Sequence, residues 1–134
     1  MSRENVDIAT RFYEAVGRDD SGLVWEIADP DLEWESSPNL PDAGVYRGRE
    51  QIEAFLGEQM ETVWGGAPEL DIERVFDCGD EVLLFIRLRG QGSRSGVGLD
   101  VRIAQLVTVS GGKVARVKVY PDRQEALAAV GLRE

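Results

Sequence analysis

Residues 81–120 read EVLLFIRLRGQGSRSGVGLDVRIAQLVTVSGGKVARVKVY, and this stretch decides the fold. Apolar residues recur in it at every second position, the period of a strand, and not at every third or fourth. Segments 81–91, 97–109 and 113–120 are accordingly predicted strands, and 69–77 before them reads the same way. The breaks are short and glycine-rich: Cys78-Gly79-Asp80, Gly90–Gly96 and Ser110-Gly111-Gly112. Turns that short join antiparallel neighbours, so the second half is an antiparallel meander.

Working outward, the first half has the helical period. Val6, Ile8, Ala9, Phe12, Tyr13, Ala15 and Val16 form a broad stripe over residues 4–17, closed by Gly17. A short second helix carries Leu23, Val24, Ile27 and Ala28, and Asp29-Pro30 stops it, because the residue before proline avoids the helical region. Asp31–Ser36 reads as a strand, and 37–45 as a loop with two prolines. A third helix is predicted from Gly48 to about Trp64, and a last one from Asp122, with Glu125 at capping-box spacing and Gly131 as its C-terminal cap. The expectation is one α+β domain over residues 1–134, helices first and then a curled antiparallel sheet.

Composition narrows the chemistry. The 134 residues hold 15 Lys+Arg against 25 Asp+Glu, a net charge of −10, which argues against nucleic acid and anionic membrane as partners. No apolar run is long enough to span a bilayer, and the N-terminus lacks the basic head and apolar stretch of a secretory signal. A single cysteine, Cys78, rules out an internal disulfide framework and fits a reducing, cytoplasmic setting. There is no histidine at all, which removes imidazole as base, nucleophile partner or metal ligand. Carboxylates, Tyr, Lys, Arg or amides must carry any catalysis.

Strand parity sorts the side chains. Val82, Leu84, Ile86 and Leu88 share one face with Val101, Ile103, Gln105, Val107 and Val109, and this face should meet the helices. The opposite face carries Leu83, Phe85, Ala104 and Leu106 among charged residues. Left uncovered, that patch implies an interface, so a homodimer through the outer sheet face is expected.

The phrases RFYEAV (11–16), IADPDLEW (27–34), VYRGREQIEAFL (45–56) and AQLVTVSGGKVARVKVYPDRQEALAAVGL (104–132) together resemble the nuclear transport factor 2-like superfamily, most closely its SnoaL-like (polyketide cyclase-like) branch. The resemblance covers nearly the whole chain. It implies a cone-shaped barrel, a curved sheet wrapped around helices and one deep pocket, in a group whose members isomerise, cyclise, dehydrate, open epoxides or only bind. Its ketosteroid isomerase members use an acidic base after the first strand, with a helix-one tyrosine and a sheet acid as oxyanion donors. Carried over, the base falls near Glu35, the sheet acid near Gln105, and the tyrosine near Arg11 or Phe12 with Tyr13 one step away. If Trp34 faces the core, alternation sends Glu35 to solvent instead. Gln105 is either a pocket hydrogen-bonder or a core amide satisfied by backbone or tyrosine.

The family's epoxide-hydrolase relay does not transfer, since Asp100 and Arg102 run in reversed order and Val119 stands at the second acid position. They read instead as a surface or interface ion pair. The loop 90–96 joins strands and opens no helix, so it is no phosphate cradle. Asp29, Asp31, Glu33 and Glu35 read as a solvated acidic edge, so no metal and no cofactor is expected. The pocket-lining candidates are Phe12, Trp34, Tyr46, Phe55, Met60 and Trp64. The expected function is binding of a small, largely apolar metabolite, with or without proton transfer by Glu35 aided by Gln105 and Tyr13. A non-catalytic binding protein and a dimeric assembly module are the alternatives.

Overall fold

The computed structural model describes residues 2–36, 44–91 and 98–132. Its elements are α1 (Ser2–Gly17), α2 (Ser21–Ile27), β1 (Ala28–Ser36), β2 (Gly44–Arg47), α3 (Gly48–Gln59), a π-helical turn (Met60–Trp64), β3 (Glu69–Cys78), β4 (Glu81–Gln91), β5 (Gly98–Ser110), β6 (Lys113–Tyr120) and α4 (Arg123–Ala129). The strands form one open six-stranded sheet in the order β2-β1-β6-β5-β4-β3. The predicted meander β3–β6 is antiparallel throughout. Gly111 and Gly112, with φ of 59° and 77°, turn β5 into β6 in the two-residue conformation that requires positive φ twice.

Three features depart from the expected layout. β1 pairs parallel with β6, Trp34 opposite Val117 and Glu35 opposite Lys118, so the sheet is mixed. Strand β1 also starts earlier, at Ala28, and carries Pro30 where its register to β6 shifts between Ala28 and Glu33. Proline is tolerated there because an irregular stretch needs no ladder N–H. Gly44–Arg47, assigned to the end of a loop, is an edge strand on β1 (residues 37–43 of that loop lie outside the described residues). The third helix loses its α geometry at Met60, where the Thr62 hydroxyl donates to the Glu58 carbonyl at 2.8 Å and loosens the regular ladder.

The core has two parts, one on each face of the sheet. The inner face buries Val82, Leu84, Ile86, Val107 and Val117 against Phe12, Tyr13, Ile52 and Phe55 of the helices. Helix α1 contacts β3, β4, β5 and β6, so the sheet wraps around it. On the outer face, Leu83, Phe85, Ala104 and Leu106 lie beneath α4, packed on Tyr120, Ala126 and Leu127. This corrects the expectation that the four residues form an exposed dimer surface. They are buried in the single chain, at 0–9% exposure, because α4 folds back over them.

Helix α4 is pinned at both ends. Asp122 accepts from the Gln124 N–H at 2.8 Å, and the Leu132 N–H returns to the Leu127 carbonyl at 2.8 Å past left-handed Gly131. Arg123 reaches into the sheet, donating to the carbonyls of Ile103 (3.3 Å) and Ile86 (3.2 Å) and to Glu73 (2.7 Å), 4.7 Å over the Phe85 ring. Glu73 is the extra residue of a bulge, for Ile72 faces Ile86 while Arg74 faces Phe85. Leu127→Ala is expected to cost about 2–5 kcal/mol in urea unfolding. A loss below about 1 kcal/mol would show that α4 does not seal the outer face.

Candidate functional site

Two adjoining hollows lie between the helices and the inner sheet face. The outer chamber, about 270 Å³, is enclosed by α1, α2, β1 and α3. The inner chamber, about 110 Å³, lies between α1, the π-helical turn and strands β3–β5. Val16, Trp34, Leu56 and Met60 line both.

Tyr13 and Gln105 meet in the inner chamber. The Tyr13 hydroxyl donates to the Gln105 Oε1, so the amide on the aliphatic face is satisfied by a helix residue 92 positions away. Phe12 holds the Tyr13 ring edge-on at 5.1 Å. Burial alone pushes the Tyr13 hydroxyl well above its ordinary ionisation range, so it stays a neutral donor. Tyr13 also occupies the only acceptor atom of the amide, which leaves the Gln105 Nε2 hydrogens without a partner among the described residues. That nitrogen is not a sealed, unsatisfied atom, and the residue lines the chamber. The amide therefore stands in the wall of the chamber.

The other candidates divide. Trp34 and Met60 line both chambers, Phe12 the outer and Trp64 the inner. Tyr46 and Phe55 line neither: they stack on each other at 4.1 Å where β2 meets α3, a packing role that corrects their assignment to the pocket. Glu35 is separated from the site as well. Trp34 is 4% exposed on the inner face, so alternation turns Glu35 to the outer one, where it binds Arg116 at 2.6 Å and Lys118 at 3.7 Å. Glu35, Gln105 and Tyr13 thus do not form one constellation; only the last two do.

The remaining charged strand residues are spent on the outside. Asp100 pairs with Arg87 (2.5 Å), one strand over, and not with Arg102, which lies 3.8 Å from Glu73. The Arg87 guanidinium holds the Asp100 carboxyl below the ordinary range. Glu33 is lowered in the same way by its hydrogen bond to Arg47 across the β1–β2 pair. Burial, followed by the charges of Glu81 and Asp77, pushes the Cys78 thiol up and away from the reactive thiolate.

Several lining residues escaped the sequence reading. Leu56, which helical spacing puts on one face with Met60, was not among the pocket candidates yet lines both chambers. Asp19, Asp20 and Ser21, at the α1–α2 junction, and Glu53 on α3 carry no periodic signal, yet all four line the outer chamber. Gly90 contributes by lacking a side chain: a Cβ there would stand 3.0 Å from the Trp64 ring, a tight contact against the wall that Trp64 gives the inner chamber.

The buried hydroxyl has a pH consequence with a definite sign. Unfolding lets Tyr13 ionise near its ordinary value of 10.0, whereas in the fold it holds its proton to higher pH. Its contribution to stability is fully present below that value and is lost as pH rises above it. Tyr13→Phe should remove this component from the alkaline stability profile, followed as tyrosinate absorbance during unfolding, and an unchanged profile would refute the assignment.

The fold has counterparts among known proteins. An uncharacterized protein of Mycobacterium tuberculosis is 32% identical over 117 residues, 87% of each chain. A Xanthomonas campestris protein of unknown function with a cystatin-like fold superposes with a TM-score of 0.75 at 26% identity, covering 96% of this chain and 98% of that one. An NTF2-like protein of Burkholderia thailandensis gives 0.76 at 23% identity, with 96% and 97% covered. Residues 9–117 match the family model of the SnoaL-like domain, and the chain belongs to that family, within the nuclear transport factor 2-like superfamily.

Proposed function

We propose that the chain binds a small, largely apolar molecule bearing a hydrogen-bond acceptor, with the acceptor held by Gln105. The observation that carries this reading is a 94%-buried amide (6% exposed) in the wall of an otherwise apolar hollow, its oxygen fixed by Tyr13. An acceptor bonded by the N–H donors of that amide would add about 0.5–1.5 kcal/mol, the net worth of one hydrogen bond. The walls from Trp34, Trp64, Leu56, Leu70 and Leu88 supply apolar contact and no charge.

The arrangement favours binding over proton transfer. A general base must lie within hydrogen-bond reach of the proton it removes. The described lining of the inner chamber contains no carboxylate or lysine, its one titratable group is a tyrosine held neutral, and Glu35 is engaged by Arg116 on the other face. The Gln105 N–H could polarise a carbonyl, the Tyr13 proton being spent on the Gln105 oxygen, but nothing beside it would take up a proton.

A thermal-shift panel of steroids, polyketide-like phenols, terpenoids and short acyl compounds tests the reading. A ligand at 100 times its dissociation constant adds about 2.7 kcal/mol of stability. For a carbonyl-bearing hit, Gln105→Leu should weaken binding about tenfold, the worth of one hydrogen bond near the upper end of the ordinary range. Equal affinity of the variant would remove the amide from the ligand site.

A further inference from the structure

Asp100 and Arg102 stand at an open edge of the sheet. Strand β6 ends at Tyr120, opposite Ala104, so residues 98–103 of β5 have β4 on one side and no strand on the other among the described residues. Arg123 reveals which backbone groups face outward. It donates to the carbonyls of Ile86 and Ile103 together, and one guanidinium reaches both only if both oxygens lie between β4 and β5. Ile86 and Ile103 are partners in register, so theirs is a hydrogen-bonded pair. Alternation then turns the N–H and C=O of Asp100 and Arg102 to the open side. The pairing of β4 with β5 runs from Glu81 to Gln91 without a register shift, so no bulge twists this edge away.

The side chains of the same two residues are unevenly matched. Arg102 stands directly opposite Arg87, and like charges so placed repel. Arg87 is compensated by Asp100, which accepts from its Nε at 2.8 Å and its Nη2 at 2.5 Å. Arg102 has Glu73 at 3.8 Å, and that carboxylate already accepts from Arg123 at 2.7 Å. Its side chain is 57% exposed. Charges on an open edge deter a second strand when the incoming strand sets the same sign opposite them. Here a strand of the same sequence, laid antiparallel, sets the opposite sign. We infer that this edge pairs with the same edge of a second copy of the chain, antiparallel, with the two-fold axis at Val101. Asp100 lies opposite Arg102 of the second copy and exchanges both backbone hydrogen bonds with it, and symmetry repeats the exchange on the other side of the axis. A carboxylate has about four lone-pair sites, so Asp100 holds Arg87 and the incoming guanidinium at once. Val101, 38% exposed, meets its own copy across the axis. Moving the axis one residue either way sets Asp100 against Asp100 or Arg102 against Arg102, so charge selects the register. This edge is separate from the apolar patch beneath α4 and from both chambers.

Sedimentation velocity on the full chain, from about 10 μM to about 1 mM, tests this, and a contact this small is expected to reach half dimer toward the upper end of that range. Arg102→Glu sets like charges opposite each other across the axis, while within the chain it gives Arg87 a second acidic neighbour. It should weaken association at least about tenfold without lowering the melting temperature. The exchange Asp100→Arg/Arg102→Glu restores opposite charges in the same register and should restore the dimer. In the unaltered chain, hydrogen exchange at the amides of residues 100 and 102 should slow as concentration rises, because those N–H groups gain their acceptors only in the dimer. A chain that stays monomeric at about 1 mM overturns the inference. So does a dimer that survives Arg102→Glu, or one that the charge exchange fails to restore in a folded variant. A dimer that leaves the amides of 100 and 102 exchanging as before meets through another surface, and that result overturns it too.

Discussion

One buried hydrogen bond fixes the relation between the first helix and the sheet. Gln105 interrupts an aliphatic face in the middle of β5, flanked two positions away by Ile103 and Val107, and an amide there must find a partner within the fold. Tyr13 supplies it from α1, which sets how far along and at what rotation that helix crosses the sheet. With α1 so placed, Phe12 and Val16 are directed to the outer chamber and Tyr13 and Val16 to the inner one. The bonded pair thus stands in the wall of the cavity. The same bond uses the acceptor atom of the amide and leaves its donors.

Elements that repeat with a clear period were legible in the sequence, and their order with them. Strands β3 to β6 and helix α1 were read within a residue or two of their observed ends, since each is long and one face of each is buried. What the period could not carry was partnership across the chain. The parallel pairing of β1 with β6 joins residues more than eighty positions apart, and nothing local in DLEWES or RVKVY announces it. The edge strand β2 has only four residues, mostly exposed, so it shows no alternation to read. The apolar outer face was identified correctly as needing a cover. The cover proved to be the chain's own α4, whose apolar residues Ala126, Leu127 and Val130 are too few to reveal a destination by themselves.

The site was legible to the same degree and for the same reason. Parity put Gln105 on the buried face, and the resemblance named Tyr13 as the nearest tyrosine; their contact needed the crossing angle of α1, which is a tertiary fact. Glu35 shows the converse. Its family position suggested a base, but a strand allows only two directions, and the bulky neighbour Trp34 takes the inward one. The register shift in β1 lies before Glu33 and so does not reverse residues 33–36. The part of Asp19 and Asp20 in the outer chamber was invisible because they belong to a helix junction, where side-chain direction follows no period.

The two faces of the sheet therefore serve different physical ends, and their separation is what lets a small domain keep a hollow. The outer face is closed by α4 and by ion pairs such as Arg87–Asp100 and Arg123–Glu73, which tie neighbouring elements together without using the interior. The inner face can then afford walls that do not interdigitate. Trp64 illustrates how such a wall is held: it sits on a π-helical turn ended by left-handed Gly65, and its ring rests in the notch left by Gly90. A Cβ at position 90 would stand 3.0 Å from that ring, so the indole would have to give by a few tenths of an ångström. Absence of bulk at one strand position, one irregular turn and one tyrosine–amide bond are thus parts of a single arrangement, in which a polar group is kept deep in the fold and still within reach of a guest.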